Sequence, residues 1–141
     1  MSVATENAPR VRFLITGADE VVIVSARGAA RELARELGFG IVDQTRIATA
    51  VSEITRNAVQ YSSGGEVTLA VVRRGNRMGL RIDVADEGPG IADVERVLQG
   101  GYSTGNGFGR GISGAKALMD QFVLESRLEQ GTHISMIKWR D

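Results

Sequence analysis

Residues 52–62 read SEITRNAVQYS, inside a stretch whose apolar residues recur every three or four positions. Ile47, Ala50, Val51, Ile54, Ala58 and Tyr61 fall on one side of a helix that Asp43 is placed to cap. On a wheel of about 100° per residue with Ile47 at zero, that stripe runs from about 300° through zero to about 40°. Glu53 then falls near about 240° and Asn57 near about 280°. The two flank the stripe one turn apart, at the boundary between core and solvent. A carboxylate and an amide oxygen there suit a hard cation and a transferring group. Polar i,i+4 pairs are also common on ordinary helix surfaces, so the pair alone leaves both readings open.

The flanking sequence supplies a sheet. RVRFLIT (10–16) reads as a strand. DEVVIVS (19–25) fits either a short strand or an early helix start, and from Ser25 the pattern is helical up to Gly38. Segments 66–74 and 79–86 alternate apolar with polar around a Gly-Asn turn, which predicts an antiparallel hairpin. A short helix from an Asp93 cap to Gln99, a helix ending at Asp120, and strands 122–128 and 132–139 complete the pattern. Helices grouped with such strands predict an α+β fold, a two-layer sandwich of a mixed, mostly antiparallel sheet with helices on one face. Residues 10–141 read as one domain after a disordered lead over 1–9.

Composition narrows the classes. Seventeen basic and 17 acidic residues cancel, so no nucleic-acid or membrane surface held by bulk charge is expected. The absence of cysteine excludes disulfides and thiolate metal sites. No uncharged run approaches the ~18 apolar residues of a membrane span. MSVATENAP has neither a basic start nor an apolar core, so no signal peptide is expected and the cytoplasm is the expected location.

Two further places could carry chemistry. In IDVADEGPG (82–90), Asp86 closes a strand and Gly88 and Gly90 follow. A strand-end carboxylate beside glycines can receive an exocyclic amine while the backbone approaches a flat ring, but the same letters also make a plain turn. Residues 100–114 hold seven of the 18 glycines and lead into a helix, with Arg110 in the loop and Lys116 further on. Unpaired N–H groups at a helix start favour phosphate; a linker is the competing reading, although linkers seldom run into a periodic helix. Gly109, Gly111 and Gly114 spell a dinucleotide fingerprint, but what precedes them reads as a helix and an open loop, not a strand. His133 has no companion ligand and is assigned to packing.

The order of these pieces, E-x-x-x-N on a helix, D-x-G-x-G after a strand, a glycine-rich lid and G-T before the last strand, resembles the Bergerat-type ATPase and kinase superfamily. Over ELGFGIVDQTRIATAVSEITRN, DEGPGI, GYSTGNGFGRGISGAKALMDQF and IKWR the chain is similar to the stressosome switch serine/threonine kinases, the RsbT type. Many superfamily members have a histidine shortly after the asparagine, where this chain has Tyr61. The resemblance implies ATP and Mg²⁺ as cofactors, with Asn57 as metal ligand and Glu53 orienting or deprotonating the acceptor hydroxyl. It also implies Asp86 on the adenine amine, Gly88, Gly90 and Ile91 around the ring, and Thr132 supporting the base. Gly107, Gly109 and Gly111 would form the lid, with Ser103, Thr104, Arg110 and Lys116 among the nucleotide-contacting residues. The implied substrate is a STAS-domain scaffold or antagonist protein, and the implied partner a phosphatase that the kinase activates. Two alternatives stand: an anti-sigma factor kinase that sequesters a sigma factor, and a nucleotide-gated binding module without transfer.

Overall fold

The structure, a computed structural model, describes residues 5–6, 10–16, 20–61, 64–91, 94–99 and 110–140. Strands β1 (Thr5–Glu6), β2 (Val11–Thr16), β3 (Gly64–Arg74), β4 (Arg77–Asp86), β5 (Gln121–Ser126) and β6 (Thr132–Arg140) make one sheet. Its path is β1-β3-β4-β6-β5, with β2 beside β1 along the same edge of β3. Every pairing among the described residues is antiparallel. Part of the lead expected to be disordered therefore joins the sheet: β2 covers β3 only as far as Leu69, and Thr5–Glu6 pairs with Arg73 and Val72 beyond it. Unpaired strand edges favour such additions.

Period-two alternation puts Val67, Leu69, Val71, Leu80, Ile82, Val84, Ile134 and Met136 on one buried face. The helices α1 (Val21–Glu36), α2 (Ile41–Tyr61) and α4 (Arg110–Leu118) cover that face, with a short α3 (Val94–Leu98) beside them. The two-layer arrangement agrees with the expectation. Fully buried Ile47, Val51, Ile54 and Ile112 each contribute roughly 1.5–3 kcal/mol.

Helix boundaries shift for identifiable reasons. α1 begins at Val21, four residues before the sequence turns clearly helical, because Val22, Ile23, Ala26, Ala30 and Leu33 share its buried side. It ends in a Schellman motif, with the Gly38 and Phe39 N–H groups bonding the Arg35 and Ala34 carbonyls at 3.1 and 3.0 Å. α2 begins at Ile41, so Asp43 lies inside the first turn rather than at the cap; the Gln44 N–H reaches Gly40 O at 2.9 Å. Because α2 lies between α1 and α4, Ala48, Ser52, Thr55 and Val59 are buried as well as Ile47, Ala50, Val51, Ile54 and Ala58 of its predicted stripe.

The end of β6 ties this layer down. The Arg140 guanidinium donates to Leu37 O at 2.7 Å, at the C-terminus of α1. The Asp120 carboxylate accepts from the Trp139 N–H at 2.7 Å and from buried Lys138 at 3.3 Å. The opposite, helix-free face holds a small cluster of Val72, Ile137 and Trp139, with the Arg74 and Arg77 guanidinium groups 5.5 and 5.1 Å from the Trp139 ring centre.

Candidate active site

β4 ends at Asp86, whose Cα partners are Gly65 on β3 and Thr132 on β6. Thr132 in turn faces Ser126 on β5. A polar row thus crosses the end of the sheet on its helix side, with Gly65 contributing no side chain. Asp86 Oδ1 accepts the Gly88 N–H at 2.8 Å, and the carboxylate also accepts from the Thr132 N–H. Burial pushes the Asp86 pKa above its ordinary value, against the lowering effect of those two donors. In front of it lies an open cleft of about 660 Å³, lined by Asp86, Val94, Leu124, Ser126, Gly131 and Thr132 among others.

Two turns interlock behind this row. Gly90 has φ +78, and a Cβ there would fall 1.9 Å from Arg127 O; Gly131 has φ +81, and its Cβ would fall 2.1 Å from Asp86 O. Both positions require glycine. Gly90 therefore serves the packing of the DEGPG loop against the β5–β6 turn, a reason distinct from clearing room for a ring. Ile91 is buried, and its N–H bonds Ser126 Oγ at 2.8 Å.

Glu53 and Asn57 are half-buried on α2, as the wheel indicates. α2 runs into β3, whose Gly65 faces Asp86, so Asn57 lies about 6 Å further toward the Asp86 end than Glu53. The start of α4 rests on Glu53: a Cβ at Gly111 would come within 2.8 Å of Glu53 Oε2. The other oxygen, Oε1, accepts from Arg56 Nη1 at 3.1 Å. A second cleft, of about 360 Å³, is lined by Thr49, Glu53, Gly111, Gly114 and Leu118.

The structure thus brings together Asp86, Gly88, Ile91 and Thr132 at the strand ends, and Glu53 with Gly111 at the helix edge. Lys116 is exposed in the last turn of α4, about 9 Å along the axis from the helix start. Ser103, Thr104, Gly107 and Gly109 lie outside the described residues, and Arg110 opens α4. Ser126 and Arg56 are the residues that sequence reasoning missed. A serine in a strand carries no signal without the pairing that places it, whereas the i,i+3 spacing of Glu53 and Arg56 on a helix is the signal that marks the arginine.

Residues 42–140 match the model of the histidine kinase-, DNA gyrase B- and HSP90-like ATPases. The chain belongs to this ATP-binding family. It is 47% identical over 117 residues to the serine/threonine-protein kinase RsbT of Bacillus subtilis, covering 83% of this chain and 88% of that protein. It is 31% identical over 120 residues to an anti-sigma F factor of Thermoanaerobacter, covering 81% and 82% of the two. Among solved structures, part of a chain comprising the RsbU and RsbW domains of a Mycobacterium tuberculosis protein shares the fold with a TM-score of 0.61 at 22% identity, over 96% of this chain and 34% of that longer one. The SiaB–SiaC complex of Pseudomonas aeruginosa shares it with a TM-score of 0.56 at 12% identity, over 93% and 90%. The expected fold, ATP-binding family and serine/threonine kinase activity of the partner-switching kind agree with these relatives. No helix among the described residues is long and apolar enough to cross a membrane.

Proposed function

We propose that this protein transfers the γ-phosphoryl group of Mg-ATP to a serine or threonine of a STAS-domain scaffold or antagonist protein, working in the bacterial cytoplasm. Release from that substrate frees it to bind and activate a partner phosphatase. The observation that carries the reading is the contact between Glu53 and Gly111. It sets a half-buried carboxylate against the helix start at which the glycine-rich stretch ends, while the same helix edge leads toward Asp86.

Asp86 receives the adenine amine, with Thr132 beside it. Among the described residues no three His, Asp or Glu side chains converge. A divalent cation would therefore take most of its oxygens from phosphate and water, which is how Mg²⁺ is commonly bound. The Asn57 amide, at the half-buried edge of α2, fits the single protein ligand such a site needs. Bound there, Mg²⁺ supplies charge neutralisation of the phosphates. Glu53 orients the acceptor hydroxyl and takes its proton on Oε2, since Oε1 is engaged by Arg56. The hydroxyl oxygen bonds to the γ-phosphorus as the bond to the β,γ-bridging oxygen breaks, and ADP leaves.

Labelled ATP, Mg²⁺ and candidate STAS proteins test the proposal. Glu53→Ala should bind ATP normally but transfer about 10²–10⁴-fold more slowly, whereas Asn57→Ala should lose Mg-dependent ATP binding. Transfer at the wild-type rate by Glu53→Ala would remove the catalytic assignment in favour of a nucleotide-gated binder. The likeness to anti-sigma F factors supports a second reading, a kinase that sequesters a sigma factor. Capture of a sigma subunit instead of a phosphatase would select it.

A further inference from the structure

The Ser126 hydroxyl takes part in three hydrogen bonds. The Ile91 N–H donates to Oγ at 2.8 Å, Oγ donates to the Gly131 carbonyl at 2.9 Å, and Oγ lies 2.8 Å from the Thr132 hydroxyl. A serine hydroxyl has one proton and two lone pairs. The Gly131 carbonyl has no proton to offer, so the Ser126 proton lies on that bond. The contact with Thr132 must then carry the Thr132 proton, with Ser126 accepting. Ser126 is thereby saturated. Thr132 Oγ1 has given away its proton and keeps lone pairs for whatever occupies the cleft.

The register adds the second half. Ser126, Thr132 and Asp86 are successive Cα partners across β5, β6 and β4, so their side chains share one face of the sheet. Ser126, Thr132 and Asp86 all line the larger cleft. We propose that Ser126 is a positioning residue of the base site: by accepting the Thr132 proton it holds Thr132 Oγ1 as an acceptor beside the Asp86 carboxylate, so that the cleft receives a purine with an amine at position 6 and rejects one with a carbonyl there. This rests on the reading of the cleft as the ATP base site. Without Ser126, the Thr132 proton is free to turn toward the cleft and meet a carbonyl oxygen.

ATP and inosine triphosphate differ at that position, and their affinities can be compared by titration in wild type, Ser126→Ala, Ser126→Cys, Thr132→Val and Asp86→Asn. The cysteine variant keeps the side-chain shape while replacing the hydroxyl with a weak hydrogen-bonding group. The expected result is a two- to tenfold fall (about one neutral hydrogen bond) in the ATP-to-inosine-triphosphate preference of both Ser126 variants, with inosine triphosphate binding better than it does to wild type. A purely structural role would weaken both nucleotides alike. In a Thr132→Val background, Ser126→Ala should leave the preference where Thr132→Val alone puts it, since the two act as one unit. An unchanged preference in both Ser126 variants, with Asp86→Asn lowering it, overturns the Ser126 role and leaves the base site standing. A wild-type protein that binds neither nucleotide, or both equally, overturns the two together.

Discussion

Asp83 and Asp86 sit three residues apart on β4 and meet opposite surroundings. Asp83 faces the helix-free side of the sheet. There Arg81 grips it with Nε at 2.8 Å and Nη2 at 3.1 Å, and His133 Nε2 lies 2.9 Å from Oδ1. Burial would raise its pKa, but hydrogen bonds from Arg81, His133 and Ser135 and the Arg81 charge hold it below the ordinary value. Asp86, on the helix side, has backbone donors and no cation among its pKa-lowering partners, and burial wins. A carboxylate whose oxygens are engaged by an arginine and a histidine is part of the framework. One held by backbone N–H groups and fronted by a cleft retains acceptor capacity for a ligand. Environment, not residue type, separates the two roles.

The largest expected break in this comparison is at Asp86. Asp86→Asn should weaken ATP by about ten- to a hundredfold, the worth of a charge-assisted hydrogen bond, without lowering thermal stability. Unchanged ATP affinity would remove Asp86 from the base site. The pH profiles sharpen the contrast, because the two carboxylates act with opposite signs. The raised pKa of Asp86 favours its protonated form in the fold. That contribution to stability is fully present below the ordinary carboxylate value and is lost as pH rises through the folded one. ATP affinity runs the other way, falling as pH drops through the Asp86 value, and Asp86→Asn should flatten that arm. The depressed pKa of Asp83 gives stability that is present above the ordinary value and is lost as pH falls through the folded one. Denaturant titrations and ATP titrations across acid pH should assign one arm to each residue.

Next in size, Asp83→Ala should cost about 1–3 kcal/mol of stability, since it removes the carboxylate that Arg81 and His133 engage, with ATP affinity unchanged. A matching loss of ATP affinity would mean that the two faces of β4 are coupled. The smallest effect is expected from the same face at its exposed edge. Arg12 and Glu66 are 3.6 Å apart with side chains 60% and 42% exposed, and Glu66→Gln should change the unfolding midpoint by no more than about 1 kcal/mol equivalent.

The parts of the molecule legible in its sequence are those set by local rules. The wheel gave the placement of Glu53 and Asn57 because the burial of α2 widens on the side away from them, toward Ala48, Thr55 and Val59, and strand-then-glycine chemistry marked Asp86 and Gly88. Alternation gave the β3–β4 hairpin. The misses are nonlocal. VVIV at 21–24 reads equally as a strand, and only burial of Val22 and Ile23 against the sheet makes it helical, with Val21 and Val24 exposed. Ser126 matters through Ile91, 35 residues away in sequence.

β6 is the last strand of the sheet in chain order, yet it is inserted between β4 and β5. Until Thr132–Arg140 is made, the β4 edge is open and β5, which among the described residues pairs only with β6, has no place in the sheet. Contacts of such long sequence separation are slow to form. Before that insertion β4 and β5 have open edges, and Asp86 lacks both Thr132 and its turn. On the proposed reading of Asp86 and Thr132, a partly made chain has no base site. Nucleotide can bind only the finished sheet, and by mass action it stabilises that product over every earlier species.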